Sequence, residues 1–278
     1  MQHASCRFVQ IADIHYASPP HPRLDWPALK QRLPEQVRAV PLADTMLPMA
    51  LEQIQTQIKP DFIIYTGDQV DSGWEDAGLA NLEAFRDFTS ASAAPGIPIY
   101  SVYGNHDGPR ERFTGVFGET VYRFTVNGCH FAVLDSGLMT DEQEGGDQEA
   151  ARRGNELLSE FLATAGDAPA AVFIHFYIYP AGVPGYSFRG SAAAIELLER
   201  HSRPVPVING HHHSGRVSVV HGVPYYTARS FTEAPWAFCL HELSDTGLVI
   251  TEFTLDTSVD EVREAGQWRG SEVCRFEF

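Results

Sequence analysis

Apolar and polar positions divide the chain into short apolar runs and longer stretches with helical spacing. The runs are rich in β-branched and aromatic residues, which is typical of buried strands. The longer stretches repeat apolar residues three and four positions apart, as amphipathic helices do. This alternation favours an α/β fold of strand–helix units around a central sheet. The predicted strands are residues 6–12, 62–66, 97–102, 170–176 and 205–208, and the predicted helices are 45–59, 75–89, 149–165 and 192–201.

Two turn signals indicate antiparallel pairing as well. Asn127 and Gly128 separate two β-type runs, and both residue types tolerate the positive φ of a type I′ hairpin turn. A His-Gly pair at 221–222 separates two more runs. After Gly210 the pattern is β throughout, with two or three further strands before the end, so a mostly β C-terminal part is expected.

Composition favours one domain over residues 1–278. A hydrophobic content of 44% with 20% charged residues is enough for a sizeable core. Residues 18–48 are polar and proline-rich, which predicts an insertion or a lid. No window approaches the roughly 18 apolar residues of a membrane span, and no signal-peptide layout is visible, so we expect a cytoplasmic protein without a membrane partner. The four scattered cysteines predict neither disulfides nor a thiolate metal site.

The charge balance bears on the kind of partner. The chain has 36 acidic and 20 basic residues, a net charge of −16, and two of the bases are lysines, Lys30 and Lys59. Proteins that follow a nucleic-acid backbone carry a basic stripe. Long DNA or RNA is therefore not expected as a partner, whereas a small anion can still bind at a local cationic site.

Five polar clusters follow predicted strands, where loops at the carboxyl ends of an α/β sheet build functional sites. Their imidazoles, carboxylates and amide oxygen suit Zn, Mn, Fe or Co. Side chains two positions apart on an extended segment lie on the same side. We therefore expect Asp13 and His15 to point the same way, and His211 and His213 likewise, with His212 pointing away. The clusters are D-I-H at 13–15, G-D-Q-V-D at 67–71, G-N-H-D at 104–107, His175, and G-H-H-H at 210–213.

Ordinary structural interpretations exist for each cluster taken alone. Asp13 and Asp68 are candidate helix caps, G-N-H-D is a candidate turn, and a histidine in an apolar run is more often a core residue than a ligand. The loop 182–190 is a surface loop by default, with a possible substrate role for Tyr186, Phe188 or Arg189. Seven histidines are interpreted as structural or surface residues: His3, His21, His130, His201, His212, His221 and His241.

Taken in order, the clusters resemble the metallophosphoesterase (calcineurin-like phosphoesterase) superfamily, whose pattern is D-x-H, G-D-x-x-D, G-N-H-D/E, H and G-H-x-H. The resemblance extends from Asp13 to about Ser230. It implies a four-layer α/β/β/α sandwich with a dinuclear centre of Mn, Fe, Zn or Co. Residue by residue, it implies metal ligation by Asp13, His15 and His213 at one ion, by Asn105, His175 and His211 at the other, and by Asp68 at both.

The resemblance also implies a catalytic pair. His106 would act on the leaving group as a general acid or as a cation, and Asp107 would orient His106 or its loop. A pair of ions lowers the pKa of bound water from 15.7 to about 7, so a bridging hydroxide can attack phosphorus. The expected activity is hydrolysis of a small phosphate ester.

Three departures from the commonest pattern narrow the resemblance. Asp71 stands where purple acid phosphatases have a tyrosine, Asp107 replaces a Glu, and Phe176 follows His175 where many relatives have a second His or a Pro. They favour bacterial-type class III phosphodiesterases of cyclic nucleotides or glycerophosphodiesters. The alternatives are a phosphomonoesterase on a small metabolite, a nuclease, which the charge argues against, and a non-catalytic scaffold.

Overall fold

The computed structural model describes residues 4–16, 43–92, 96–137, 144–255 and 267–278. Most of the predicted lid, residues 18–42, lies outside these ranges. The first helix, α1 (Ala43–Gln53), continues into one π-helical segment, Ile54–Ile58. The helices are α1 (Ala43–Gln53), α2 (Gly78–Ser92), α3 (Arg110–Phe117), α4 (Glu144–Ala165) and α5 (Ser191–Arg200). The strands are β1 (Ser5–Ile11), β2 (Phe62–Tyr65), β3 (Ile99–Ser101), β4 (Tyr122–Val126), β5 (Cys129–Val133), β6 (Ala170–Phe173), β7 (Val207–Asn209), β8 (Arg216–Val220), β9 (Val223–Thr227), β10 (Phe238–Ser244), β11 (Gly247–Thr254) and β12 (Arg269–Glu277).

The strands form two mixed six-stranded sheets, ordered β12-β11-β10-β1-β2-β3 and β4-β5-β6-β7-β9-β8. Parallel pairs occupy β1 to β3 of the first sheet and β5, β6, β7 and β9 of the second, and the remaining pairs are antiparallel. The hairpin between β4 and β5 turns at Asn127 and Gly128, with φ of 51° and 80°. The predicted α/β class, this hairpin and the β-rich C-terminal part are therefore confirmed.

An aromatic layer joins the two sheets. Phe8 of the first sheet stacks on Phe62 at 4.9 Å and meets Phe131 of the second sheet edge-on at 5.5 Å. Helices α1, α2 and α3 cover the outer face of the first sheet, and α4 and α5 cover that of the second. The expected four-layer α/β/β/α sandwich is confirmed.

The polar clusters lie at the carboxyl ends of parallel strands. The strands β1, β2 and β3 of the first sheet lead into three clusters, and β6 and β7 of the second lead into the other two. Because parallel strands end at the same edge of a sheet, the clusters of both sheets meet at one end of the sandwich.

None of the helices in the described ranges is long and apolar enough to cross a membrane. The four cysteines are free, and Cys6, Cys129 and Cys239 are buried.

A buried polar group connects the sheets below this end. The His241 ring stacks on Phe8 at 4.8 Å, and its Nε2 donates to Gln10 Oε1 at 3.0 Å. Gln10 in turn donates to Thr66 Oγ1 and to the Asn209 carbonyl. The other ring nitrogen of His241 is buried without a hydrogen-bond partner among the described residues. Burial therefore lowers the pKa of His241 to about 3.

This depressed pKa predicts acid sensitivity. Below pH 6.5 the unfolded chain protonates His241 while the folded chain does not, so the free energy of unfolding falls as pH falls, by about 1.4 kcal/mol per pH unit until pH about 3. Urea unfolding of His241→Gln in the presence of a chelator should show a shallower loss of stability over this range. His221→Gln, at an exposed histidine, should retain the wild-type slope, and equal slopes for all three proteins would refute the assignment.

Candidate metal centre

The first and last clusters are not extended. The strand β1 ends at Ile11, and Asp13 and His15 have φ of 53° and 49°. His211 and His213, at 68° and 56°, are also left-handed. The prediction that these pairs share one side of an extended segment is therefore wrong in its geometry, although each pair does reach the site. Asp and His are among the few non-glycine residues that adopt this conformation readily.

Hydrogen bonds between loops hold these left-handed residues. The Asp13 amide donates to the Gly67 carbonyl at 3.2 Å, and the His15 amide to the Asp68 carbonyl at 2.9 Å. The His211 amide donates to the Asp13 carboxylate at 3.0 Å. The loops after β1, β2 and β7 are thus bound to one another through the residues that carry the candidate ligands.

The predicted ligands converge in overlapping groups. One group is Asp13, His15 and His213, and another is Asp68, His175 and His211, with potential ligand atoms within 4.8 Å of one another in each. A third group joins His15, Asp68 and His106. Asn105 Oδ1 lies 3.2 Å from His175 Nε2, which brings the seventh predicted ligand to the same place. The third group contains one residue of each of the other two, so the first two groups are adjacent, which is consistent with a dinuclear metal site.

Neither predicted aspartate begins a helix. The helices that follow Asp13 and Asp68 in the described chain start at Ala43 and Gly78. Both carboxylates are buried among imidazoles instead, so the capping interpretation is wrong.

His175, His211 and His213 each have one ring nitrogen hydrogen-bonded to an oxygen and the other directed toward the cluster. His175 Nδ1 donates to the Thr66 carbonyl at 2.8 Å, and His211 Nε2 donates to the Gly185 carbonyl at 2.9 Å. His213 Nδ1 lies 2.9 Å from Glu233 Oε1, and His15 Nδ1 lies 3.1 Å from Asp71 Oδ1. Such outer contacts fix the tautomer and the orientation of metal-binding histidines.

The inward nitrogens fit a metal ion. Both ring nitrogens of His15 are buried and have no hydrogen-bond partner within the described ranges, and His213 Nε2 lies 3.1 Å from Asp13 Oδ1. A buried nitrogen without a partner is unfavourable, and coordination of a cation satisfies it. Imidazole, carboxylate and amide donors are also the ligand set of borderline divalent metals.

The pKa shifts of the histidines in the cluster also favour a bound cation. Burial alone would lower the pKa of His175, but the adjacent Asp68 carboxylate raises it to about 9. Burial is likewise outweighed at His213, where Asp13 and Glu233 raise the pKa to about 10. At His211, burial and the neighbouring His175 lower the pKa to about 4. The buried carboxylates thus require positive charge beside them, which metal ions supply.

His106 and Asp107 occupy different environments. His106 Nδ1 donates to the Asp71 carbonyl at 3.0 Å, and its side chain is 33% exposed. The Asp107 carboxylate is fully buried and accepts the amides of Asp68, Val70 and Gly104 at 2.9 to 3.1 Å. These contacts are those of a residue that holds the loop, because no side-chain bond to His106 is formed.

Sequence reasoning missed two carboxylates that contact ligands. Asp71 was noted as a departure from the tyrosine pattern, yet it lies beside both His15 and His106. Glu233 contacts His213 from 20 residues away. Asp71 belongs to a motif that could have identified it, whereas Glu233 stands in a segment with no recognisable pattern.

The loop 182–190 borders the site. The Gly185 carbonyl holds His211, and the Tyr186 ring lies 5.3 Å from that imidazole. Phe188 and Arg189 line a cavity of about 440 Å³ along this loop. The loop is therefore placed for the substrate role considered from the sequence.

Comparison with known proteins agrees with the site. Residues 6–215 match the model of the calcineurin-like phosphoesterase family, so the chain belongs to that family. A search of curated proteins finds no significant match.

Similar solved structures share the fold at low identity. A dimetal phosphatase from Danio rerio has 16% identity and a TM-score of 0.68, over 88% of this chain and 95% of that one. GAP50, the anchor in the inner membrane complex of Plasmodium, has 15% identity and a TM-score of 0.66, over 99% and 88%. PhoD has 10% identity and a TM-score of 0.56, over 96% and 68%. At these identities the likenesses show the fold alone. The family match does not extend to the narrower resemblance to class III phosphodiesterases.

The Glu233 contact predicts weaker metal binding on its removal. In Glu233→Gln the His213 ring loses its charged partner, and the affinity for Mn²⁺ should fall about 10- to 100-fold, the range seen when outer contacts of metal ligands are removed. Calorimetric titration of the metal-free protein measures this. Glu199→Gln is the matched control, since Glu199 Oε1 pairs with the exposed His221 at 2.6 Å. Equal affinities for the two variants would contradict the assignment.

Proposed function

We propose that this chain is a metal-dependent phosphoric ester hydrolase acting on a small phosphodiester. The observation that carries the proposal is the position of His106. Its backbone amide donates to Asp68 Oδ1 at 2.8 Å, and its partly exposed ring lies within the group formed with His15 and Asp68. A titratable ring therefore stands at the mouth of a site whose other imidazoles face inward.

The chain's own residues divide the work in this proposal. Asp13, His15 and His213 would hold one ion, Asn105, His175 and His211 would hold the other, and Asp68 would be shared. When bound, the two ions supply Lewis acidity and a water of lowered pKa. His106 keeps Nδ1–H on the Asp71 carbonyl, so a proton carried on Nε2 is the one available to the leaving oxygen. Asp107 positions this loop through the amides it accepts.

Charge supports a small substrate. The protein has a net charge of −16, which repels a polyanion over distances of about 10 Å at moderate salt. Two divalent ions against the two candidate ligand carboxylates, Asp13 and Asp68, would leave the ligand cluster locally cationic, so a single phosphate group would be attracted only close to the centre. The nuclease alternative lacks this electrostatic support.

The ion pair between Arg110 and Asp135 supports a diester substrate over a monoester. Arg110, three residues after Asp107, donates two hydrogen bonds to the buried Asp135 at 2.6 and 3.1 Å. Its charge is thereby compensated by a carboxylate in the bidentate arrangement that would otherwise serve a phosphate. A monoester dianion needs more positive charge than a diester monoanion, and the ions must supply it.

Substitution of two residues separates binding of metal from catalysis. His106→Ala should keep close to the wild-type metal content and lower kcat by about 100- to 10,000-fold, the usual contribution of a general acid. Asp68→Ala should lose metal and activity together. His212→Ala, at the exposed neighbour of two ligands, should retain both. Loss of metal from His106→Ala would refute the division of roles.

Metal analysis and two chromogenic esters test the reaction itself. Protein reconstituted with Mn²⁺ should bind two ions and hydrolyse bis(p-nitrophenyl) phosphate faster than p-nitrophenyl phosphate. The reverse order would establish a phosphomonoesterase instead. Failure to bind metal after reconstitution would favour the non-catalytic scaffold and overturn the proposal.

A further inference from the structure

An exposed tryptophan stands beside the candidate acid. Trp74 has 45% of its surface exposed, although most large apolar side chains of the described ranges are buried. Its ring Nε1 donates to the Asn105 carbonyl at 2.7 Å. The indole is thus fixed at its polar edge while a large part of its surface faces solvent.

The loop that carries Trp74 is joined to the loop that carries His106. The Gly73 amide donates to the His106 carbonyl at 3.0 Å. Together with the Trp74 contact, this bond pairs residues 73–74 with residues 105–106. The indole therefore adjoins the side of the centre where the proposed leaving group departs.

A further set of contacts makes this loop rigid. Arg112 Nη1 donates to the carbonyls of Gly73 and Glu75 at 3.0 and 2.7 Å. An aromatic ring held in advance binds a planar partner with little loss of side-chain entropy. Bracing of the loop alone does not require an exposed indole, because the hydrogen bond uses only the ring edge.

We propose that Trp74 forms a subsite that stacks on a planar organic group of the substrate, an aryl ring or a nucleobase, next to His106. The inference rests on the proposed function, since it assumes that a phosphate group occupies the metal centre. Glu75 and Asp76 are exposed beside Trp74, and with Arg112 they leave one net negative charge there. An uncharged planar group suits this environment better than a second phosphate.

Paired non-hydrolysable and product-like ligands test the subsite on the Mn²⁺-loaded protein. Phenylphosphonate and ethylphosphonate differ in the ring, and adenosine 5′-monophosphate and ribose 5-phosphate differ in the base. Calorimetry should show that Trp74→Leu weakens the ring-bearing member of a pair by roughly fivefold to tenfold, as loss of aromatic stacking predicts, and changes the other member less than twofold. If only the nucleotide pair responds, the group is a nucleobase, and if both pairs respond, any aryl ring is accepted.

Two variants separate stacking from bracing. Trp74→Phe loses the hydrogen bond to Asn105 but keeps a ring, so it should retain most of the selective affinity. Leu79→Ala, at another exposed apolar residue nearby, should leave both pairs unchanged. Metal content of each variant is measured alongside.

The outcomes distinguish this inference from the proposed function. If Trp74→Leu weakens both members of each pair equally, or weakens neither, the subsite is refuted. The proposed function would still stand, because it is tested separately by hydrolysis of bis(p-nitrophenyl) phosphate. If no ligand binds the metal-loaded wild type, the subsite and the phosphate site of the proposed function both fail.

Discussion

The site depends on a backbone conformation that most residues avoid. Nine described non-glycine residues have positive φ, and five of them are predicted ligands: Asp13, His15, Asp68, His211 and His213. Sparsely populated conformations of this kind cost on the order of 1 kcal/mol or more each. These conformations persist because the amides and carbonyls of neighbouring loops form hydrogen bonds with one another. The aromatic layer between the two sheets supports these loops from below. The concentration of strained residues at one end of the sandwich is what allows so many ligand atoms to meet.

The same constraint determines the electrostatics. Loops closed in this way bury Asp13 and Asp68 completely, away from water that would stabilise their charge. The imidazoles of His175 and His213 respond by gaining affinity for protons. Protons and metal ions compete for the same nitrogens, because ligands must be deprotonated to coordinate. The chain thus combines a net charge of −16 with a buried cluster whose carboxylates are stabilised by positive charge, whether from protons or from metal ions.

The α/β class and the residue types of the candidate site could be predicted from patterns along the sequence, whereas the four-layer arrangement was expected only from the family resemblance. Apolar runs between helical stretches predict the strands, and the order of the polar clusters after those strands predicts the candidate ligands. The left-handed backbone that brings Asp13 and His15 to the site could not be predicted from the sequence, since it depends on hydrogen bonds to loops far along the chain. Glu233 was missed for the same reason: its contact with His213 exists only once β9 lies beside β7.

The candidate ligands and the exposed aromatic residues around them belong to different parts of the molecule. The candidate ligands are held by main-chain hydrogen bonds between loops at the ends of parallel strands, so we expect a change there to disturb the whole cluster. Trp74 and Tyr186 stand at the rim on separate loops, one beside Asn105 and the other beside His211, and both are exposed. Such residues can change without loss of the metal centre. Membership of the family therefore concerns the buried clusters, whereas the exposed residues Trp74 and Tyr186 lie outside every family motif.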